Sequence, residues 1–276
     1  MNMQKSIKIL GINIQSYTWP EIAEKLDELL KIGRKFQVVT VNTEFISTAQ
    51  NSPVVTEMIN SSKIRVADGV GLLIAAKYLS IPKTKNKYTR WIHKAIILKI
   101  CILAAIFYPK YLKTALPERI SGVDLSHEIV KIAIKNKLKI FLLGAQTGVA
   151  EKVALKLQTD NFDLRISGVY AGSPKVDDEQ KIIDLINKHR TDILFVAYNF
   201  PQQDLWIKRN LKKLNVKMAI GLGGTFNYLS GEKKRAPEWM QTHGLEWLYR
   251  LVTEPAKRFK RQLSLPRFLY LLYKSN

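Results

Sequence analysis

Four short segments of this sequence place groups able to move a proton or hold a phosphate where an apolar stretch gives way to a turn. Ile64-Arg-Val-Ala-Asp-Gly-Val-Gly71 runs into Asp68 and then a glycine turn. A carboxylate there is a candidate general base, although Asp before Gly is also an ordinary turn or helix-capping choice. Val39-Thr-Val-Asn-Thr-Glu44 ends in a cluster of hydroxyl, amide and carboxylate groups that includes Thr40 and Asn42. Asn199-Phe-Pro-Gln-Gln-Asp204 sets two amides and a carboxylate at a helix start, and Gln203 can both donate and accept, as reading sugar hydroxyls or a base edge requires. Helix capping is the plainer explanation. Ala219-Ile-Gly-Leu-Gly-Gly-Thr-Phe226, with Gly221, Gly223 and Gly224, offers backbone amides to a diphosphate. Its spacing is not the dinucleotide fingerprint, and Phe141–Gly148 matches that pattern only loosely, so an NAD enzyme is the weaker alternative.

Charge narrows the chemistry. The chain has 276 residues, with 44 Lys plus Arg against 23 Asp plus Glu, a formal +21. Residues 83–115 carry eight Lys or Arg and no acid, and residues 232–276 carry ten against four Glu. Such a balance suits nucleic acid, anionic lipid or a phosphorylated substrate. No Asp-x-Asp element is present to hold a divalent ion on a diphosphate, so arginines would supply the charge, with Arg119, Arg250, Arg258 and Arg261 available. The four His lie far apart and the single Cys101 allows no internal disulfide, which argues against a structural zinc and for the cytoplasmic side. At 46% hydrophobic residues the chain is too apolar for disorder.

These groups need a scaffold of alternating strands and helices. The pattern predicts strands near 6–14, 36–41, 64–67, 138–144, 164–170, 192–198 and 216–221, with helices near 20–32, 44–60, 70–80, 123–136, 148–158, 178–189 and 202–213. Such alternation implies an α/β fold, a Rossmann-like, largely parallel sheet flanked by helices, with ligands at the carboxyl ends of the strands. Two regions depart from it. Residues 91–108 are apolar but too short for a comfortable membrane span, which leaves a buried helix or hairpin and an interfacial anchor both open. The tail from Gly244 is a basic amphipathic segment, suited either to an anionic surface or to docking on the body. The expected division is an α/β core over 1–231, with an apolar basic insertion at about 83–116, and a membrane-proximal helical appendage over 232–276.

The ordered motifs Thr40-Val-Asn42, Ala67-Asp-Gly-Val-Gly71, Glu118-Arg-Ile-Ser-Gly-Val-Asp124, Phe141-Leu-Leu-Gly-Ala, Pro201-Gln-Gln-Asp204, Gly221-Leu-Gly-Gly-Thr-Phe226 and Lys234-Arg-Ala-Pro-Glu-Trp-Met with Gly244-Leu-Glu-Trp-Leu-Tyr-Arg-Leu resemble the WecG/TagA/CpsF glycosyltransferase family. The likeness covers nearly the whole chain except about residues 83–116. It implies transfer of a sugar, often N-acetylmannosamine or its uronic acid, from a UDP-sugar donor to a polyprenyl-diphosphate-linked sugar, with inversion, in cell-surface polysaccharide synthesis.

Carried onto this sequence, the resemblance makes Asp68 the catalytic base. It makes Thr40, Asn42, Arg119, Gln203, Arg250, Arg258 and Arg261 substrate-binding; Gly221, Gly223 and Gly224 join them on the strength of their backbone amides, and with no Asp-x-Asp element neither a metal nor a cofactor is expected. Two departures bear on donor preference: the usual Gly-x-Pro-x-Gln-Glu is here Asn199-Phe-Pro-Gln-Gln-Asp204, and the common Phe-Asp after the glycines is Phe226-Asn227. The expected place is the cytoplasmic face of the membrane, peripherally bound to an anionic surface, without nucleic acid and with homo-oligomerisation left open. The alternatives are a glucosyl- or galactosyltransferase of the same family and a non-enzymatic basic lipid- or nucleic-acid-binding protein.

Overall fold

A computed structural model describes residues 5–255 and 264–275. Six parallel strands form the central sheet: β3 (Phe36–Val41), β4 (Ile64–Ala67), β5 (Lys139–Gly144), β6 (Arg165–Tyr170), β7 (Ile193–Ala197) and β8 (Met218–Gly221). Their spatial order is β4-β3-β8-β7-β5-β6, so the sheet is wholly parallel. The inner strands β3, β7 and β8 are buried at every position, as expected where helices cover both faces. One face holds a core built on Val38, Leu142, Phe195 and Ile220, the other a core around Phe141, Leu194, Trp206 and Ala219. The α/β expectation therefore holds.

Two elements differ from the sequence reading. The stretch read as one strand at 6–14 is a hairpin of β1 (Ser6–Ile9) and β2 (Ile12–Gln15), turned by Leu10 and Gly11 with φ of 47° and 85°. The apolar alternation runs through this two-residue turn and hides it. The helix read at 44–60 is two, α2 (Thr43–Ala49) and α3 (Pro53–Ser61), because Ser52 caps the second through Val55 N–H and Pro53 fills its first position. The remaining core helices are α1 (Trp19–Ile32), α4 (Val70–Ser80), α6 (Gly122–Lys135), α7 (Val149–Asp160), α8 (Val176–Lys188) and α9 (Gln202–Asn210).

The insertion forms α5 (Arg90–Phe107), neither a hairpin nor a wholly buried helix. Ile97, Cys101 and Ala105 recur every four residues and pack on the body. Ile96, Ile100, Leu103 and Phe107 face outward. Among the described residues no helix is long and apolar enough to cross a membrane.

After β8 come α10 (Phe226–Leu229), α11 (Glu238–Thr242), α12 (Glu246–Thr253) and α13 (Ser264–Lys274). Phe268 and Leu272 of α13 are fully buried in the cluster that holds Phe45, Leu72 and Cys101, with Leu265 and Leu269 packed against it. Of the two readings left open for the tail, the apolar stripe of α13 follows docking on the body, while Leu248 and Val252 of α12 stay exposed.

Candidate active site

The carboxyl ends of β4, β3, β8 and β7 meet in one crevice, and the backbone there carries each candidate side chain to its place. Asp68 follows β4, and its N–H donates to Val41 O at 2.7 Å, which prolongs the β3–β4 ladder by one step. Ile120 N–H then donates to Ala67 O at 2.8 Å, so the chain entering α6 lies along the end of β4 and brings Arg119 beside Asp68. Ser121 caps α6 through Asp124 N–H. Thr40 is the penultimate residue of β3 and is buried. Asn42 caps α2, its Oδ1 accepting from Glu44 N–H at 2.9 Å and Phe45 N–H at 3.2 Å. That oxygen is committed to the helix, so only the Nδ2 donor of Asn42 remains for a ligand.

Two adjoining clefts share Asn42, Glu44, Asp68 and Arg250. The first opens between Gly69–Gly71, Arg119, Glu246, Trp247 and the start of α13 at Ser264 and Leu265. The second is floored by Thr40, Gly122, Gln203 and the Gly221–Gly224 turn. Asp68 therefore stands at the junction, half-buried. Burial pushes its carboxyl up to about 6, against Arg119, Arg250 and a hydrogen bond from the Gly122 backbone N–H, while the charge of Glu246 adds to the rise. A carboxylate so tuned is a better proton acceptor than a free Asp.

Gln203 is buried, and its Nε2 donates to Asp204 Oδ2 at 3.2 Å. Among the described residues its Oε1 has no partner. Asp204 lies deeper and also accepts from Gln37 Nε2 at 3.5 Å; burial pushes it up to about 7. Gly221 is required by this packing, because a Cβ there would sit 2.5 Å from Gln203 Nε2 and 2.7 Å from Asp204 Oδ1. Gly223 adopts φ 46°, whereas a Cβ on Gly224 would meet only open space.

The sequence reading missed Glu246 and Arg235. Glu246 is buried, and its carboxylate meets Arg119 Nη1 at 3.0 Å, Arg235 Nη2 at 3.6 Å and Arg250 Nη2. Burial raises its carboxyl, but the three guanidinium groups outweigh that and hold it below the usual range. Arg235 also forks onto Asp124, and Arg250 lies over the Tyr228 ring at 4.7 Å. The signal was the Glu246–Arg250 spacing of four residues, which aligns the two on one helix face; counted only as net charge, it disappears. Arg258 and Arg261 lie outside the described residues.

Among the described residues no group of three or more His, Cys, Asp or Glu is placed to hold a metal ion. The cation-rich element is the arginine cluster, whose forked donors suit a phosphate.

The family model described as glycosyl transferase WecG/TagA/CpsF matches residues 7–101 and 102–276. The match runs through both clefts, the helix α5 and the segments that close over Asp68. The chain belongs to the WecG/TagA/CpsF family of glycosyl transferases.

Proposed function

We propose that this glycosyl transferase moves a sugar, N-acetylmannosamine or a related one, from a UDP-sugar to a polyprenyl-diphosphate-linked sugar, with inversion, in cell-surface polysaccharide synthesis. The observation that carries this reading is the place of Asp68 at the junction of two clefts, one glycine-floored and one arginine-walled. The glycine-floored cleft takes the donor and the other takes the acceptor hydroxyl. Thr40, Asn42 and Gln203 orient the donor, and Gly221 and Gly223 allow its close approach.

The acceptor oxygen attacks the anomeric carbon as the bond from that carbon to the diphosphate oxygen breaks. UDP leaves with the electron pair, and Asp68 takes the hydroxyl proton. Because an alcohol is far less acidic than any carboxylic acid, proton transfer is concerted with attack and late. Arg119 and Arg250, joined by Arg258 and Arg261, neutralise the departing phosphate by forked hydrogen bonds. Closure of the segments after β8 excludes water and limits donor hydrolysis.

The acceptor's lipid brings the enzyme to the membrane, peripherally at the cytoplasmic face, since withdrawing a prenyl chain costs about 0.8 kcal/mol per CH₂. The outward apolar residues of α5, within a stretch holding eight Lys or Arg and no acid, support this placement. Incubation with a panel of UDP-sugars and a short-chain prenyl-diphosphate sugar, read by product mass, tests the proposal. No sugar adduct from any UDP donor would refute it.

A further inference from the structure

Glu246, the first residue of α12, divides three cations between its two carboxylate oxygens: Oε2 meets Arg119 and Arg235, and Oε1 meets Arg250. Arg119 and Arg250 line the same cleft as Asp68, yet among the described residues neither donates a hydrogen bond to it. The Gly122 backbone N–H faces the Asp68 carboxyl and, like the two arginines, favours its ionised form. With Asp68 ionised, Arg119, Arg235 and Arg250 are balanced by Glu246, Asp124 and Asp68. Taking Glu246 away leaves two guanidinium groups without their partner, and Asp68 is a carboxylate in the same cleft. An arginine-paired carboxylate has its lone pairs occupied and its affinity for a proton lowered.

We infer that Glu246 is a positioning residue: it claims Arg119 and Arg250 and so keeps both guanidinium groups from closing on Asp68, leaving that carboxylate open to accept a proton. This rests on the reading of Asp68 as the base in the transfer proposed above. The groups facing Asp68 are Arg119 from the segment before α6, Gly122 from α6, Glu44 from α2, and Glu246 and Arg250 from α12. Of these, Glu246 is tied to both arginines. Arg235 holds Glu246 from the far side and is itself held by Asp124 at 3.3 Å. Its removal acts in the opposite sense, leaving Glu246 and Asp124 less neutralised and the Asp68 carboxyl harder to ionise.

The test follows Asp68 directly, by carboxyl-carbon NMR of the full chain labelled at aspartate and without substrate, the signal being assigned by its loss in Asp68→Asn. The wild-type signal titrates near pH 6, the value about which burial and these charges hold it. Glu246→Gln lowers that midpoint by more than one pH unit, and Arg235→Gln raises it. The acid limb of kcat moves in the same directions, and Glu246→Asp restores most of the shift.

An unmoved midpoint in folded Glu246→Gln overturns the inference, even if turnover falls. Should that variant not fold, an unmoved midpoint in Arg235→Gln overturns it, as does a wild-type signal titrating below pH 4. Shifts as expected in a protein that transfers no sugar uphold the arrangement and discard the transfer reading instead.

Discussion

Arg119 Nη1 lies 3.0 Å from Glu246 Oε2, joining the chain just after the apolar insertion to the helix that closes the site 127 residues later. Both side chains are largely buried, at 19% and 7% exposure. A pair in this setting is costly to break on one side only, because the remaining charge stays buried. Arg119→Ala is expected to lower kcat by a factor of about 10² to 10³, the range seen when one donor to developing charge is lost. Arg235 and Arg250 still neutralise Glu246, so the loss in urea-denaturation stability is about 1–2 kcal/mol. Steady-state kinetics and urea melts of the same preparation check both.

Asp68→Asn is expected to cut transfer by a factor of about 10² to 10⁴ while UDP binding by calorimetry stays within threefold or so. Normal turnover in this variant would remove Asp68 from its role.

The same variant is expected to be more stable than the wild type at pH 8, by about 1–3 kcal/mol. The sign follows from the raised carboxyl. Between its ordinary value and about 6 the folded protein holds a proton that the unfolded chain has released, so stability falls as pH rises through that window. Above it the full penalty is present, and Asn carries none. Asp204, pushed up to about 7, adds a second loss in the same direction that extends to higher pH. Denaturant melts from pH 4 to 8 should show the advantage of Asp68→Asn growing with pH; an advantage greatest at pH 4 would contradict this account.

Gly221→Ala and Gly224→Ala make a matched pair. The first forces a methyl to within 2.5 Å of the buried Gln203 amide, whereas the second meets nothing within 4 Å. Overpacking of this kind costs about 1–3 kcal/mol, so Gly221→Ala should lower the melting temperature and Gly224→Ala leave it unchanged.

Ile96 and Ile100 on α5 are 51% and 47% exposed. Replacing both with Asp removes apolar area and adds negative charge to a basic helix. Co-sedimentation with vesicles rich in phosphatidylglycerol should fall at least about tenfold, with no change in melting temperature. Equal sedimentation of variant and wild type would exclude α5 as the contact.

Much of this architecture is legible in the chain because inner parallel strands are dense apolar runs. Phe36–Val41 and Ile193–Ala197 could hardly be anything else. Local turn chemistry is where the pattern misleads. Leu10-Gly11 continues an apolar alternation while reversing the chain, and Ser52-Pro53 interrupts a stretch whose helical period otherwise continues. Asp68, Thr40 and Gln203 were readable as groups at strand ends, since a sheet's topology places such ends together. Glu246 and Arg235 were not, because their meaning comes from a fold-back that brings residues 119, 235 and 246 to one point. The four-residue spacing of Glu246 and Arg250 marks one pair on a helix face, but not the two further arginines that the fold-back adds to it.

The closing helix α13 carries Ser264 and Leu265 at the mouth of the first cleft, while Tyr273 near its other end donates to Trp91 O at 3.1 Å and lies 4.7 Å from the Lys94 ammonium on α5. From Leu265 to Tyr273 the rise is about 12 Å at 1.5 Å per residue. This rod works as a ruler between the greasy flank and the reaction point. In the transfer proposed above, that fixed spacing would set how far an acceptor sugar held at the flank of α5 has to reach to meet Asp68.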